Sequence, residues 1–516
     1  MKKVFLDSNT VEKKVKAYYS IPEFLMMENA AHGLENAVLK HLGNFYSEST
    51  DLNSRTTSFS DKSVFIACGK GNNGADGLAL ARLLKNKCQV YVYCPEIPKT
   101  EEGKFQYEMA KKLGISFNSI YNNQDVFVDC VFGTGFHGEI SEDWKVLFNA
   151  AKASASWKIA CDIPSGISKT GIVSEGTFKA NETVTMGAMK LALLSDSAKD
   201  FTGRITVADL GISQKDFCEF GNDSIFLAED DDIKLPWRHG ENTHKGKFGH
   251  ISCISGEKAG ASILSATAAL ESGAGLSSII ETSFSNIIQF KIDPSLMITK
   301  DFPKASLAFT LGNGLGNADT SSKINSFLNY FENYLVGLLE QNKNCSLIFD
   351  ADIFYWSGFP SFFKRMSSFS NCKIILTPHP KELAYLCESL ELFGEKLNPA
   401  SALENRVEIG KNFLSLFPNC GLVMKGANTF IAVNERIIIL NGGGACLSKA
   451  GSGDVLTGIL GSLLAQNYSL EDACISGCAL LGMAAENFGK DRFDLTALKL
   501  CSEIGKTLYK TNKGGK

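Results

Sequence analysis

Runs of apolar residues with the length of β-strands recur along the first 212 residues. They cover residues 63–69, 89–95, 125–133, 158–164, 182–188 and 204–210. Helical patterns separate the early runs, for example over residues 75–86. Near-continuous apolar strands that alternate with helices are typical of a parallel sheet covered on both faces. Residues 47–63 are rich in Ser, Thr and Asp and predict a solvated loop before the first of these strands.

A second series of strand-like runs begins after Leu227 and has a different spacing. It covers residues 250–256, 276–281, 307–312, 346–352, 373–379, 421–426, 429–433 and 436–440, and residues 453–509 predict three helices. The acidic run Glu229–Asp232 lies between the two series, and we place a linker at about 213–230. No repeat relates the halves. We therefore predict two different fused α/β domains, at residues 1–220 and 221–516.

Composition and charge narrow the class of protein. Of the 516 residues, 44% are hydrophobic and 21% are charged, which is typical of a globular chain, and the net charge is −4. Such a balance does not favour general binding to nucleic acid or to a membrane surface. The 15 cysteines form no C-x-x-C pair, and the N-terminus lacks the apolar core of a signal peptide. We expect free thiols and a cytoplasmic protein.

A glycine-rich loop in the first half is the first candidate for chemistry. The segment from Gly69 to Gly77 follows a predicted strand and opens a predicted helix. Glycines at such a junction let the backbone approach a phosphate at a helix N-terminus. The spacing is not G-x-G-x-x-G, so a standard dinucleotide fingerprint is not indicated. Taken alone, the loop also fits a tight turn that needs glycine.

Polar side chains follow other strands of the same half. Asp129 lies near the end of one strand, Asp162 and Ser165 follow another, and Asn73 belongs to the glycine loop. The carboxyl ends of parallel strands face one crevice, so these groups can converge on one pocket. Several oxygen ligands of low total charge suit potassium better than magnesium. A single Asp at a strand end is also a common capping residue.

Together these segments resemble the NAD(P)H-hydrate epimerase domain, the YjeF N-terminal fold. The matching segments are residues 21–31, 66–77, 128–136, 162–167 and 183–194. The resemblance implies a Rossmann-like domain with Asp162 as acid/base at the nicotinamide ring, and potassium held by Asn73, Asp129 and Ser165. It implies that the substrate is lined by Asn72, Asn73, Gly74, Ala75, Asp76, Gly133, Thr134, Gly135, Phe136, His137, Gly138, Glu139 and Asp162. Ala75 stands where the family usually has glycine.

The second half carries its own candidate site at Gly451-Ser452-Gly453-Asp454, just before an apolar helix. Backbone amides at a helix N-terminus can hold a phosphoryl group, and Asp454 can take the proton of an acceptor hydroxyl. A helix N-cap made of small residues has the same appearance. Three further loops follow strands, at residues 312–316, 377–380 and 425–429. They add Lys425 as a cation, and His379, which also fits a core position.

These loops resemble the ADP/ATP-dependent NAD(P)H-hydrate dehydratase domain, a member of the ribokinase-like group. The matching segments are residues 243–251, 260–276, 311–316, 350–352, 376–382, 424–429 and 449–466. The resemblance implies that the nucleotide, with Mg²⁺, is bound by Lys425, Gly426, Ala427, Asn428, Thr429 and Gly453. It assigns the hydrated nicotinamide substrate to Ala261, Gly316, His379 and Asp454. Lys381 replaces a common glycine, and Ile353-Phe354-Tyr355 replaces Ala-Leu-Asn.

The two resemblances imply successive steps in the repair of hydrated NADH and NADPH. The first domain would interconvert the R and S hydrates, and the second would dehydrate the S form at the expense of ADP or ATP, with ADP favoured. Two alternatives stay open: a small-metabolite kinase that acts on a hydroxymethyl vitamin precursor, and a non-catalytic first half, as in RNA-decapping scaffolds. The expected partners are small molecules, with neither nucleic acid nor membrane, and a homo-oligomer is left open.

Overall fold

The structure, a computed structural model, describes residues 1–44, 59–238 and 240–514. The chain divides into two compact units. The N-terminal unit is Lys3–Asp223, and the C-terminal unit is Ser224–Lys516 together with Met1–Lys2. Most of the predicted loop at 47–63 lies outside the described residues, and the first long strand already begins at Phe59.

The N-terminal unit is built around a parallel sheet. Its strands are β1 (Lys2–Phe5), β2 (Phe59–Cys68), β3 (Cys88–Tyr93), β4 (Val126–Cys130), β5 (Trp157–Cys161), β6 (Glu182–Met186), β7 (Met189–Lys190) and β8 (Arg204–Ala208). Its helices are α1 (Ser8–Tyr19), α2 (Glu23–Asn44), α3 (Asn72–Leu84), α4 (Glu101–Lys112), α5 (Glu142–Ala153), α6 (Lys199–Thr202) and α7 (Gln214–Cys218). Six strands form one sheet in the order β3-β2-β4-β5-β6-β8, with all neighbours parallel. β1 pairs in parallel with β7.

Helices cover both faces of this sheet, as the apolar strands predict. Along β2, Val64 and Ile66 pack in a core that includes Leu34 of α2. Phe65, between them, packs in a second core with Phe148 of α5. Successive side chains of a strand point to opposite faces, so an uninterrupted apolar run buries both. The strand ends that carry the candidate residues therefore meet at one edge of the sheet.

The C-terminal unit contains a larger, mixed sheet. Its strands are β9 (Ile225–Leu227), β10 (His250–Ile254), β11 (Leu276–Ile280), β12 (Met297–Thr299), β13 (Ala308–Leu311), β14 (Cys345–Phe349), β15 (Cys372–Leu376), β16 (Cys420–Met424), β17 (Thr429–Val433) and β18 (Arg436–Leu440). The order is β12-β11-β10-β13-β14-β15-β16-β17-β18-β9. Pairing is parallel from β12 to β16, antiparallel along β16-β17-β18, and parallel between β18 and β9.

Nine helices of this unit are described: α8 (Ala259–Glu271), α9 (Ser322–Glu340), α10 (Phe359–Ser367), α11 (Pro380–Ser389), α12 (Pro399–Glu404), α13 (Arg406–Leu416), α14 (Ser452–Ala465), α15 (Leu470–Phe488) and α16 (Ala497–Gly514). In β14, as in β2, the side chains of adjacent residues pack on opposite faces of the sheet. Ile348 packs in a core with residues of α14 and α15, while the ring of Phe349 contacts Phe359 and Phe362 of α10. The predicted three-layer α/β class is confirmed in both units.

Helix α14 is the central helix of the C-terminal unit and fixes the position of its own N-terminus. Residues 455–464 are all buried. A Cβ atom at Gly458 would clash with the carbonyl oxygen of Ser265 in α8, so glycine permits the close approach of the two helices. The hydroxyl of Ser265 donates a hydrogen bond of 2.9 Å to the backbone oxygen of Asp454. The first turn of α14 is thereby held against α8.

The structure also corrects the sequence-based organisation. The segment 213–230, predicted as a linker, contains α7 and β9, and the two compact units divide within it, between Asp223 and Ser224. The strands β1, β7, β9 and β12 were not predicted; each has at most four residues, too few to show a period. Pairing holds such strands, as Ile225 of β9 pairs with Ile437 of β18. The prediction of thiols is confirmed, since none of the fifteen cysteines, all of which lie in the described residues, is in a disulfide. No helix in the described ranges combines the length and apolarity needed to cross a membrane.

Two candidate active sites

The glycine loop of the N-terminal unit brings α3 against the end of β4. A Cβ atom at Gly69 would clash with the carbonyl oxygen of Val131, and a Cβ atom at Gly74 would clash with the carbonyl oxygen of Gly69. Glycine is therefore required here by close backbone contact. The loop places Asn73, which is buried, beside the segment that follows β4. Its side-chain amide donates a hydrogen bond of 3.1 Å to the carbonyl oxygen of Phe132.

Asp129 is a fully buried carboxylate at the end of β4. Its Oδ1 accepts hydrogen bonds from the Ser165 hydroxyl (2.7 Å) and the Val131 amide (3.1 Å), and its Oδ2 accepts one from the Ser165 amide (2.8 Å). Burial raises the pKa of Asp129 to about 6, although the hydrogen bonds from Ser165 oppose that rise. Among the residues that the structure describes, no Lys, Arg or His forms an ion pair with Asp129. Its charge is thus left for a proton or a bound cation to balance.

Oxygen atoms surround this carboxylate. The Ser165 hydroxyl accepts a hydrogen bond of 2.8 Å from the Phe132 amide and lies 3.4 Å from the Phe132 carbonyl oxygen. A Cβ atom built on Gly133 would lie 3.6 Å from the side-chain oxygen of Asn73 and equally far from Oδ2 of Asp162. The structure therefore brings Asn73, Asp129, Ser165 and Asp162 to one edge of the sheet. A single carboxylate among neutral oxygen donors is the kind of ligand set that suits a monovalent cation.

Asp162 is held by one of its two carboxylate oxygens. Its backbone adopts a left-handed conformation (φ 67°), which Asp tolerates better than most residues. Oδ1 accepts hydrogen bonds from the Lys190 ammonium (2.6 Å), the Met186 amide (3.1 Å) and the Thr185 hydroxyl (3.3 Å). Oδ2 accepts none within residues 1–44, 59–238 and 240–514, and it faces Gly133. Oδ1 is therefore held in place by three donors, and Oδ2 is available to a molecule that binds beside Gly133.

Lys190 is a functional candidate that the sequence reasoning missed. It is buried, with a relative exposure of 5%, and donates to Asp162, to the Thr185 hydroxyl (2.9 Å) and to the Met186 carbonyl oxygen (3.0 Å). A buried ammonium is stable only when it is paired and hydrogen-bonded in this way. The sequence does contain a feature that points to Lys190, because it is the only charged residue in the otherwise uncharged segment 183–194.

Two further carboxyl groups lie close to Asp162. Burial, together with the charges of Asp162 and Glu12, raises the pKa of Asp76 well above its ordinary value. Burial also raises the pKa of Glu12, on α1, with Lys190 opposing the rise and Asp162 adding to it. Both groups therefore hold their protons to a higher pH than an exposed carboxyl. Asp76 is part of the predicted set, whereas nothing in the sequence pointed to Glu12.

The remaining predicted residues of this site differ in exposure. Gly74 and Ala75 are buried in the start of α3, and Asn72 is exposed. Phe136 is buried, with its ring 5.1 Å from that of Phe132. The hydroxyl of Thr134 donates to the side-chain oxygen of Asn9. The exposed residues of the loop are Gly135, His137, Gly138 and Glu139. The segment 133–139 thus offers a largely open surface over Asp162.

In the C-terminal unit, the candidate site is built around the first turn of α14. Gly451, in a left-handed conformation (φ 92°), caps the helix, and Gly453 and Asp454 lie in its first turn. A Cβ atom on Gly453 would lie 3.3 Å from Oδ2 of Asp350 and 3.5 Å from Nζ of Lys425. The amides of this turn therefore lie next to a lysine, and both groups favour the binding of an anion.

Lys425 follows β16 and pairs with Asp350, which follows β14. Its ammonium donates a hydrogen bond of 2.7 Å to Oδ1 of Asp350 and lies 4.0 Å from Glu382. Burial disfavours the charge of Lys425, but the two carboxylates outweigh burial and raise its pKa. Burial also raises the pKa of Glu382 to about 7. The site thus keeps a permanent cation next to the first turn of α14.

Asn313 joins Asp350 to Asp454. Its side-chain Nδ2 donates to Oδ1 of Asp454 at 2.8 Å and to Oδ2 of Asp350 at 3.2 Å. Burial raises the pKa of Asp454 to about 6; the hydrogen bond from Asn313 lowers it, and the nearby charge of Asp350 raises it. A carboxylate with this pKa is charged at neutral pH and is a good proton acceptor.

The other residues predicted for this site lie in loops at the strand ends. His379 caps α11: its Nδ1 accepts a hydrogen bond of 3.2 Å from the Glu382 amide, and its ring is half-exposed, which excludes a core position. Gly316 has a left-handed backbone (φ 95°) and donates its amide to Asp352 at 3.0 Å. Ala261 lies in the first turn of α8, 3.2 Å from the place that a Cβ atom on Gly314 would take.

The loop predicted to bind the nucleotide leads from Lys425 into β17. Gly426 and Ala427 are exposed, Asn428 is buried, and Thr429 begins the strand. The backbone oxygen of Asn428 accepts a hydrogen bond of 2.7 Å from Arg406. Arg406 is itself buried and stacks on the ring of Phe430 at 3.9 Å. Arg406 thereby holds the buried end of the loop in place, while Gly426 and Ala427 at its tip are exposed.

Three side chains of the C-terminal site had no role in the sequence reasoning. They are Asn313, Asp350 and Glu382, although each lies inside a segment that resembles the dehydratase domain and follows a strand. Among the departures from the family pattern, Ile353 and Phe354 are buried, and Lys381 is exposed on α11. A Cβ atom on Gly312 would clash with the side chain of Ile353, so this substitution packs directly under the loop that carries Asn313.

Comparisons with known proteins match both halves. A family model described as YjeF-related protein N-terminus matches residues 23–192, and one described as NAD(P)H-hydrate dehydratase matches residues 251–506. The chain is 35% identical over 514 residues to a bifunctional NAD(P)H-hydrate repair enzyme of Helicobacter pylori, covering 98% of this chain and 99% of that one. It is 30% identical over 442 residues to the enzyme of the same name from Escherichia coli, covering 82% and 80%.

The chain is also similar in part to solved structures. An ADP/ATP-dependent NAD(P)H-hydrate dehydratase from Bacillus subtilis, co-crystallised with ATP and Mg²⁺, covers 53% of this chain and 93% of its own length, with 20% identity and a TM-score of 0.42.

Proposed function

Because the chain belongs to the family of bifunctional NAD(P)H-hydrate repair enzymes, we propose that its two units carry one reaction each. The N-terminal unit interconverts the R and S hydrates of NADH and NADPH. The C-terminal unit dehydrates the S hydrate at the expense of ADP or ATP. One observation carries this division: each unit has its own strand-end site with a single aspartate held through one oxygen, Asp162 by Lys190 and Asp454 by Asn313.

The substrate explains why two such sites are useful. The hydrate carries a hydroxyl at C6 of the nicotinamide ring, next to the ring nitrogen, so epimers arise at C6. Inversion at C6 requires a proton to be added to the hydroxyl and later removed from an incoming water, or the equivalent ring opening. A carboxylate beside the ring can serve both transfers. Asp162 fits this role because its Oδ2 accepts no hydrogen bond from the described residues, while Oδ1 is held by three donors.

The loops around Asp162 supply the walls of the epimerase site. We assign the substrate to residues 72–76 and 133–139, because Asn73 of the first segment and Oδ2 of Asp162 both face Gly133 of the second. Lys190 keeps Asp162 oriented and balances its charge, so that the free oxygen can exchange a proton without the residue turning away. The exposed stretch from Gly135 to Glu139 gives room for the rest of a dinucleotide.

Potassium fits the ligand set of Asn73, Asp129 and Ser165. The fit rests on Asp129, which is buried without a cationic partner among the described residues and is surrounded by hydroxyl, amide and carbonyl oxygens. A bound monovalent cation would neutralise this carboxylate and stiffen the loops on either side of Gly133. Asn73 and Ser165 would then hold those loops in the shape that the substrate needs.

Epimerisation should depend on potassium. Replacing potassium with lithium or tetramethylammonium at fixed ionic strength should slow epimerisation, because a strongly hydrated or an oversized ion does not match these oxygens. Dehydration of pure S hydrate provides the control, as Asp129 belongs to the other unit. An epimerisation rate that is the same in all three salts would show that Asn73, Asp129 and Ser165 bind no functional cation.

In the dehydratase site, the first turn of α14 and Lys425 receive the terminal phosphates. We assign the nucleotide to residues 425–429 and Gly453, and the hydrated ring to Ala261, Gly316, His379 and Asp454. Asp454 accepts the proton of the C6 hydroxyl while the hydroxyl oxygen attacks the terminal phosphorus, and the bond from that phosphorus to the bridging oxygen breaks with its electrons on the departing AMP or ADP. The C6–O bond then breaks with its electrons on the phosphate, which takes up the proton lost from C5, and the C5–C6 double bond of the reduced ring is restored. Phosphate leaves far more readily than hydroxide.

Magnesium would enter this site with the nucleotide. Across the described ranges, no group of three His, Cys, Asp or Glu side chains is arranged to hold a metal ion by itself. The phosphate oxygens would therefore be its main ligands, as is usual for magnesium in phosphoryl transfer. Its chemistry there would be to neutralise charge on the phosphates, next to Lys425.

An absorbance assay tests the function directly. The full chain, given a mixture of R and S hydrates of NADH, should restore the near-ultraviolet absorbance of the reduced ring only when ADP or ATP is present. Each nucleotide is tested in turn, with a non-hydrolysable analogue as control. A small-metabolite kinase would instead phosphorylate a hydroxymethyl vitamin precursor and restore no absorbance, and that result would refute the proposal for the C-terminal unit.

A further inference from the structure

Asn313 occupies the centre of the polar network in the C-terminal site. It lies in the loop after β13, and its relative exposure is 3%. Its Nδ2 donates to Oδ1 of Asp454 and to Oδ2 of Asp350, while Oδ1 of Asp350 accepts a hydrogen bond from Lys425. A continuous chain of contacts therefore runs from the lysine at the phosphate position to the aspartate at the substrate position.

The side-chain amide of Asn313 is held in one orientation, and that orientation leaves a buried oxygen atom, Oδ1, without a hydrogen bond from the described residues. Buried polar atoms are almost always paired, so an unpaired one needs an explanation, and a catalytic role is one such explanation. Turning the amide over would place its oxygen against two carboxylates. The protein thus leaves one acceptor unsatisfied so that both N–H groups can face Asp350 and Asp454.

We propose that Asn313 is a positioning residue of the dehydratase: it holds Asp454 in place and keeps it ionised as the proton acceptor, and it ties Asp454 to the Asp350–Lys425 pair beside the nucleotide. This inference rests on the proposed role of Asp454 in the C-terminal unit. The amide acts through Asp454 and takes no part in bond making. The single buried side chain of Asn313 would then align Asp454, the proton acceptor, with Lys425, the phosphate-binding lysine.

The charged groups around Asp454 determine what loss of Asn313 should do. Asp350 and Asp352, which follow β14, raise the pKa of Asp454, whereas Lys425, after β16, lowers it. The hydrogen bond from Asn313 also lowers it, because an N–H donor stabilises the charged carboxylate. Without Asn313, Asp454 should therefore remain protonated, and inactive as a base, up to a higher pH.

The test is the pH dependence of kcat/KM for dehydration of S hydrate, which reports groups of the free enzyme. Asn313→Leu removes both donors with little change of volume. The acidic limb of its profile should move upward by about one pH unit, the size expected for loss of a hydrogen bond to a charged group. Asn313→Asp keeps the size but adds a negative charge, so it should move the limb at least as far. Asp350→Asn removes a negative charge and should move the limb downward.

Asn317→Ala is the matched control, since Asn317 is an exposed residue of the same loop whose side-chain oxygen accepts hydrogen bonds from the amides of Asp319 and Thr320. Its limb should coincide with that of the wild type. If Asn313→Leu and Asn313→Asp lower the rate but leave the limb in place, or if neither folds, Asn313 has a structural role only and the proposal is wrong. Failure of the proposed function would look different, because the wild type itself would then restore no reduced ring, whereas a wrong role for Asp454 would appear as dehydration retained by Asp454→Asn.

Discussion

Asp454→Asn should abolish the restoration of reduced nicotinamide while the R and S hydrates still interconvert at the wild-type rate. Loss of a positioned general base typically lowers a rate by about 10²–10⁴-fold. The substitution keeps the size of the side chain, and its amide oxygen can still accept the hydrogen bond from Asn313. The network should therefore stay assembled, and the loss should report the missing proton acceptor.

The measurement is nucleotide-dependent absorbance on pure S hydrate, with epimerisation followed separately by chromatography of the two hydrates. Asp301→Asn, at an exposed aspartate of the same unit, is the matched control and should dehydrate normally. A rate for Asp454→Asn within a few-fold of the wild type would exclude Asp454 as the base. Loss of epimerisation in the same variant would mean that the two reactions are not divided between the units as proposed.

Asp162→Asn should have the opposite effect. On mixed hydrates, the variant should consume the S form at the normal rate and then stall, leaving the R form to drain by slow uncatalysed epimerisation. The wild type should pass through the whole mixture without a break. The expected loss of epimerisation is again about 10²–10⁴-fold, because an amide cannot take up a proton as the free Oδ2 does. Asn tolerates the left-handed backbone of position 162 as well as Asp does.

Folding must be checked in this variant, since Lys190 would lose the carboxylate that balances its buried charge. A circular-dichroism spectrum like that of the wild type, together with normal consumption of S hydrate, provides the check. Asp143→Asn, at an exposed position in the first turn of α5, is the matched control and should epimerise normally. Equal loss of both activities in folded Asp162→Asn would contradict the assignment of one reaction to each unit.

Much of the molecule follows from local sequence. Strands such as β4 and β14 are five-residue runs of mostly apolar residues, and such runs predict burial on both faces of a sheet. The loop glycines were likewise visible, because close backbone contact at Gly69 or a left-handed turn at Gly451 admits few other residues. The strand-end residues Asp129, Asp162 and Ser165 could be placed at one edge of a sheet from topology alone.

The partners of those residues could not be read from the sequence. Lys190 pairs with Asp162 across 28 positions, Ser165 pairs with Asp129 across 36, and Asn313 contacts Asp454 across 141. The short strands β1, β7, β9 and β12 also depend on contacts that are distant in sequence, since pairing with a neighbouring strand stabilises them. Their own sequence patterns are too short to predict a strand.

The sequence by itself therefore determined the elements, the glycine loops and the residue types available for chemistry, because these depend on neighbours along the chain. Only the tertiary structure decided which carboxylate has no cationic side chain beside it among the described residues, as for Asp129, and which is paired with a lysine, as Asp162 is. Charge, burial and hydrogen bonding at a site depend on distances of a few ångströms between segments far apart in sequence, and folding alone sets those distances.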